Sequence, residues 1–227
     1  MAHVRCLALV ALVVISPGLI AQGFRYTSWI NGLEHDGQQI TCDLPEREQM
    51  ANIGSFVDSY GMCVTTSIEM AARYQGIEEM RGFRDWAARQ PGGGYPSKVD
   101  RQLGEWFRLK NLDPKKFPYM QIESNNPSEL EKALSLIDKT GRLGCITYGY
   151  SPRYRGSIAH MVCCVSFQKY GVVLDNNYVS RKRPDDSWNN NIFEWMGKEE
   201  LLRRIRHGGG GWIFVWLTSP PAPIPRN

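Results

Sequence analysis

One cysteine occupies a position that favours nucleophilic chemistry. Cys63 lies in the first turn of a helix predicted over residues 62–75, where apolar side chains recur at helical spacing and Gly76 follows. The dipole and the unpaired backbone N–H groups at a helix N-terminus stabilise a thiolate, which is the nucleophilic form of cysteine. The same N–H groups suit the oxyanion of a tetrahedral intermediate. Cys63 is therefore the candidate nucleophile, and a buried structural cysteine is the alternative.

A cysteine nucleophile needs a base, and His160 is the histidine best placed to act as one. His35 lies in a polar, turn-rich segment, and His207 follows a cluster of arginines at a predicted helix end, where its charge complements the helix dipole. His160 lies in a predicted core strand, residues 158–167, which gives an imidazole a rigid support. We therefore expect His160 to be the general base, the alternative being a core histidine with a structural role.

A polar residue at the end of the next strand is expected to orient the imidazole. A hairpin turn at residues 168–171 joins the His160 strand to a strand predicted over residues 172–176, which ends in Asp175 and Asn176. Side chains alternate along a strand, so only one of these two residues faces His160. The pattern leaves the choice between Asp175 and Asn176 open.

In the order of these residues, positions 50–217 resemble the papain-like cysteine peptidase superfamily: a cysteine starts a core helix, a histidine opens a strand, and Asn or Asp ends the next strand. The run Leu-Asp-Asn-Asn-Tyr at positions 174–178 is similar to the papain pattern, which favours Asn176. Papain-type enzymes carry a Gln before the cysteine for the oxyanion hole, and the resemblance makes Gln49 and Asn52 the candidates for that role. It implies a papain-like thiol hydrolase domain over residues 53–218. Such a domain cuts peptide or isopeptide bonds through an acyl-enzyme, without a metal or an organic cofactor.

The cysteine helix also resembles the transglutaminase-like branch, which has a Gly-x-Cys sequence at the start of a helix and a Gly-Ile pair directly after the helix. Gly61, Cys63 and the pair Gly76-Ile77 match these points. That branch prefers Asp as the third member, which implies Asp175, and it transfers the acyl group to an amine. A further hypothesis is a secreted binding module that keeps the fold without turnover.

The order of the predicted elements indicates an α+β fold, in which an N-terminal helical half with the Cys63 helix packs on a C-terminal antiparallel sheet. A polar lead-in at residues 22–52 precedes this domain, and a Pro-rich tail at residues 219–227 follows it. Helices are predicted over residues 62–75, 79–89, 96–110, 126–139 and 198–206, and strands over residues 117–122, 143–148, 158–167, 172–176 and 212–217.

The first 21 residues have the pattern of a signal peptide. His3 and Arg5 precede an apolar run at residues 7–15, and Ala21 marks the expected cleavage site. This run is far shorter than the roughly 20 residues that span a bilayer, so we expect a secreted or periplasmic protein without stable membrane insertion. The net charge of +4 over 227 residues is too small to indicate nucleic acid as a partner. The expected partner of a monomeric chain is a protein or peptide substrate.

Cysteine usage agrees with one thiol that is kept free. Removal of the signal leaves an odd number, five, and Cys42 with Cys145 is one conceivable pair, although the sequence does not fix the connectivity. His160 together with Cys163 and Cys164 suggests a partial zinc ligand set. Strand alternation sends the two adjacent cysteines to opposite faces, so we expect no metal site. The five cysteines are Cys42, Cys63, Cys145, Cys163 and Cys164.

Overall fold

A computed structural model describes residues 26–27, 34–35, 38–39, 44–45, 62–91, 94–140, 142–151, 156–174, 193–208 and 210–218. The α-helices within these residues are α1 (Met62–Tyr74), α2 (Phe83–Ala88), α3 (Val99–Leu109), α4 (Pro127–Thr140) and α5 (Lys198–Arg206). The strands are β1 (Tyr26–Thr27), β2 (Glu34–His35), β3 (Gln38–Gln39), β4 (Leu44–Pro45), β5 (Tyr119–Ser124), β6 (Gly144–Ser151), β7 (Gly156–Phe167), β8 (Tyr170–Leu174), β9 (Phe193–Gly197) and β10 (Gly211–Trp216).

Six strands form one antiparallel sheet in the order β5-β10-β6-β7-β8-β9. Hairpins join β6 to β7 and β7 to β8, which places β7 in the middle of the sheet. The short strands pair separately, β1 with β4 and β2 with β3. This combination of helices with an antiparallel sheet confirms the predicted α+β class.

Helices cover both faces of this sheet, whereas the sequence analysis predicted one helical half packed on it. We call the face bearing Cys145, Cys163 and Phe214 the front face, and these side chains pack with α1, α2 and α3. The back face bears Val162 and Ile213 and packs with α4 and α5. The second layer arises because α4 and α5 each carry an apolar stripe at helical spacing, formed by Leu130, Leu134, Ile137, Leu201 and Ile205.

Several predicted boundaries differ from the structure. Strand β5 begins and ends two residues later than predicted, β6 extends to Ser151, and β8 begins at Tyr170, within the predicted turn. The helix predicted over residues 79–89 is broken, because Gly82 has a φ of +87° and separates a 3-10 turn at Glu78–Met80 from α2. A 3-10 turn at Pro96–Lys98 likewise precedes α3. Strand β9 was not predicted, since it follows a polar stretch with little local strand pattern.

None of the helices in the described ranges combines the length and apolar character that a bilayer crossing needs.

Helix α1 is buried along its whole length between the front face and α2. Its one carboxylate, Glu69, accepts hydrogen bonds from the backbone N–H groups of Gly82 at 3.0 Å and Arg84 at 2.8 Å, and it pairs with Arg73 at 3.5 Å. Burial raises the pKa of Glu69, and the hydrogen bonds and Arg73 oppose that rise. Glu69 therefore anchors the Cys63 helix to the start of α2.

We expect the Glu69→Ala substitution to lower the free energy of unfolding by about 2 kcal/mol, because it leaves two backbone donors without their acceptor and removes a carboxylate that pairs with Arg73. Urea denaturation measures this loss. The matched control is Glu105→Ala, which breaks only a more exposed pair with Arg101 on α3 and should cost less than about 0.5 kcal/mol. Equal losses in the two variants would contradict the anchoring role of Glu69.

Candidate active site

Cys63 is the second residue of α1, as the sequence predicted. Its thiol is free, and the residue is 9% exposed, whereas Cys145, Cys163 and Cys164 are each 0% exposed. The backbone N–H groups in the first turn of a helix lack acceptors within the helix and carry its positive end. Cys63 is therefore the most exposed of the described cysteines, and it lies in the first turn of a helix.

Helix α1 is fixed to β7 through hydrogen bonds around Ser67. The Ser67 hydroxyl donates to the carbonyl oxygen of Met161 at 3.5 Å, and the Cys163 thiol donates to the carbonyl oxygen of Ser67 at 3.6 Å. Ser67 lies one helical turn after Cys63, and Met161 directly follows His160. The front-face contacts that hold α1 thus involve the neighbours of both predicted catalytic residues.

The direction of α1 brings its first turn toward the level of His160. Gln75, directly after α1, donates to the carbonyl oxygen of Thr218, just after β10. Trp216 Nε1, at the end of β10, donates to the carbonyl oxygen of Ile68, in the middle of α1. Helix α1 and strand β10 therefore run in the same direction. Strand β7 has that direction too, because both β7 and β10 are antiparallel to β6. The rise from Cys63 to Ser67 is about 6 Å, which equals roughly two strand residues. For an α1 axis along β7, this rise places Cys63 beside residues 159–161 of the strand.

His160 is buried at 8% exposure in β7, and the register opposes it to Tyr148 of β6. Directly opposed residues in an antiparallel pair share a face, and Tyr148 belongs to the back-face core. A regular strand consequently directs the His160 side chain to the back face and that of Met161 to the front face. The ladder is irregular immediately beyond this point, between Tyr148 and Tyr150. The contact between the side chains of Cys63 and His160 therefore stays a prediction.

The back face near Tyr148 carries a polar cluster, formed by Tyr148, Glu194, Glu200 and Arg204. The Tyr148 hydroxyl donates to Glu194 at 2.9 Å, and Arg204 donates to Glu194 at 2.7 Å and to Glu200 at 2.7 Å. Burial raises the pKa of Tyr148, and the hydrogen bond from Arg203 lowers that of Glu200 to about 2. These charge-assisted bonds join α5 to β6 and β9 on the face to which the register assigns His160.

Sequence reasoning missed both Glu69 and this polar cluster. The spacing of Glu69 with Arg73 and of Glu200 with Arg204, four residues apart on helices, was the available signal. Tyr148 and Glu194 lie on different strands, and no local pattern links them. Their contact depends on the order of the strands in the sheet.

The remaining predicted site residues lie outside the described part of the chain. These are the candidates for orienting the imidazole, Asp175 and Asn176, and the oxyanion candidates Gln49 and Asn52. Strand β8 is described up to Leu174, which opposes Cys163. Their roles stay predictions.

Cys163 and Cys164 pack on opposite faces of β7, and this confirms the predicted alternation. Among the residues that the structure describes, no three His, Cys, Asp or Glu side chains are grouped as metal ligands. Cys42 lies outside the described residues.

No protein-family model, curated protein or solved structure matches this chain.

We expect Cys63 to be alkylated before Cys145, Cys163 and Cys164 in the folded protein, because it is the most exposed of the four and lies at a helix start. Mass spectrometry of peptides after brief iodoacetamide treatment measures the order of labelling. Unfolded protein serves as the control, in which the four thiols should react at similar rates. Preferential labelling of Cys163 or Cys164 in the folded protein would contradict the assignment of Cys63.

Proposed function

We propose that the chain is a secreted papain-like thiol hydrolase that cleaves peptide or isopeptide bonds through an acyl-enzyme. The observation that carries this proposal is the free Cys63 thiol in the first turn of α1, a helix hydrogen-bonded to β7 at the residue next to His160. The order of cysteine helix, histidine strand and polar strand end supports the same reaction class.

In the proposed reaction the Cys63 sulfur attacks the substrate carbonyl carbon, and His160 accepts the thiol proton. The C–N bond then breaks, and His160 returns the proton to the leaving amine. Water, activated by His160, attacks the thioester, so that a C–O bond forms, the C–S bond breaks and the thiol is restored. Asn176 or Asp175 orients the imidazole, and N–H groups of the first turn of α1, with Asn52 or Gln49, bind the oxyanion.

This reaction requires the His160 side chain to depart from the regular pleat of β7. The irregularity between Tyr148 and Tyr150 lies next to His160 and is the place where such a departure is least costly, because ladder pairing is already interrupted there. The low exposure of both Cys63 and His160 is compatible with a site that excludes water once substrate binds.

The register of His160 favours a second candidate function, a binding module with the same fold and no turnover. If the regular pleat persists, His160 packs near Tyr148 on the back face, and Cys63 lacks its base. Cys63 is then a small side chain in the front-face core. The ionisation of Cys63 distinguishes the two candidates.

We expect the rate of Cys63 alkylation at pH 6 to fall at least about tenfold in the His160→Ala variant, because an imidazolium partner favours the thiolate below the thiol's usual pKa of about 8.5. The rate is followed by peptide mass spectrometry between pH 5 and pH 9. The matched control is His207→Ala, a histidine after the end of α5, which should leave the profile unchanged. An ordinary thiol profile in both the original protein and His160→Ala would reject the hydrolase and favour the binding module.

The two candidates for the orienting residue are separated by their effect on turnover. We expect Asn176→Ala to reduce peptide hydrolysis strongly, by about 10²-fold or more, and Asp175→Ala to reduce it less, with Cys63→Ala defining the inactive baseline. Cleavage of a peptide mixture is measured with and without an added primary amine, and melting temperatures report whether each variant is folded. A larger loss from Asp175→Ala at unchanged stability, with acyl transfer to the amine, would instead favour a transglutaminase-like reaction.

A further inference from the structure

Two buried cysteines oppose each other across β6 and β7. The register pairs Cys145 with Cys163, and the pairs on either side follow without a shift. Both thiols are free, both residues are 0% exposed, and both belong to the front-face core beneath α1. The two sulfur atoms therefore share one side of the same hairpin.

This pairing meets the geometric requirements of a disulfide. Opposed residues in an antiparallel ladder have Cα atoms about 4.5 or 5.5 Å apart, and both separations fall within the range of about 4.4–6.8 Å found in disulfides. The Cβ atoms of opposed residues are about 4.5–5.5 Å apart, and a disulfide needs about 3.5–4.5 Å. Closure thus requires an approach of about 1 Å and no change of register.

The other described cysteines are less well placed for either partner. Cys164 lies on the back face opposite Gly144, so it has no cysteine across the ladder. Cys63 lies on α1 one turn before Ser67, whose carbonyl oxygen accepts from the Cys163 thiol at 3.6 Å.

Burial, together with a hydrogen bond to Cys163, raises the pKa of Cys145 well above its ordinary value. The folded Cys145 thiol is therefore poorly ionised, and both sulfur atoms are buried, so exchange has to take place before the hairpin is covered.

We propose that Cys145 and Cys163 form a cross-strand disulfide when the chain folds under oxidising conditions. The oxidant is a small-molecule or protein disulfide, for which oxidised glutathione is the probe. One thiolate attacks the glutathione disulfide and releases a glutathione thiol, and the second cysteine then displaces the other glutathione. The S–S bond of the chain forms, the two cysteines lose two electrons and two protons, and two glutathione thiols are produced. This pairing does not rest on the proposed hydrolase function.

The disulfide has a defined effect on the contacts of α1. Oxidation removes the thiol proton that Cys163 donates to Ser67, while the link holds β6 and β7 in register under that helix. It closes a short loop between positions 145 and 163 that consists of the β6–β7 hairpin. Constraining the unfolded chain in this way stabilises the folded state.

The test is to refold the reduced, full chain in a glutathione redox buffer, block free thiols and map peptides without reduction. We expect the Cys145 and Cys163 peptides to be joined, with a mass about 2 Da below the sum of the two thiol peptides because two hydrogen atoms are lost. We also expect the melting temperature of this form to exceed that of the reduced form by roughly 5–10 °C. Alkylation of both thiols in the refolded protein, or a link from either one to Cys42 or Cys63, would overturn the proposal.

The matched control is Cys164→Ala, which removes a buried cysteine from the same strand on the opposite face. The link between Cys145 and Cys163 should persist in this variant and disappear in Cys163→Ala. Fragmentation of the linked peptide from the unsubstituted chain, which assigns the bridged sulfur to Cys163 or to Cys164, decides the proposal even if a variant does not fold. Loss of the link in folded Cys164→Ala would show that Cys164, and not Cys163, supplies the second sulfur, and would contradict the pairing.

Discussion

Helix α1 is buried on all sides, so polar side chains that are not satisfied within the helix need partners from other elements. Glu69 obtains two N–H donors from the start of α2, and Ser67 bonds to β7. Gln75, directly after α1, bonds to the chain after β10. Trp216 of β10 in turn donates to the Ile68 carbonyl at 3.0 Å. These bonds fix the rotation of α1 about its axis and its position along the front face of the sheet. The position of Cys63 in space follows from them.

Elements that carry their own pattern could be predicted from the sequence. Helix α4 was predicted to within about a residue, because Pro127 starts it and apolar residues repeat along it. The break at Gly82 was missed because it depends on one left-handed residue, and α2 begins where Glu69 accepts its first N–H groups. The back-face layer was missed for a different reason. An apolar stripe shows that a helix packs on something, but not which face of the sheet it covers.

The candidate site shows the same division between local and non-local information. The place of Cys63 at a helix start depends on adjacent residues, and the structure has it there. The face of the sheet on which His160 lies depends on the register of β7 against β6. The sequence of a strand shows that its side chains alternate between the two faces, but not which set of residues lies on the front face. Met161, Cys163 and Val165 are the front set because they pack with α1 in one core. That assignment required the tertiary contacts of α1.

The two faces of the sheet at β7 therefore provide different environments for side chains that are adjacent in the sequence. On the front face of the sheet, the thiols of Cys145 and Cys163 lie in an apolar core beneath α1, and burial raises the pKa of Cys145. On its back face, Tyr148 connects to the ion pair between Glu194 and Arg204, which stabilises charge. His160 lies at the boundary, one residue from the bond that holds α1 and opposite the tyrosine of the back-face cluster. A change in the pleat at this single residue would move the imidazole from the back face to the front face, which is the arrangement that the proposed role of His160 requires.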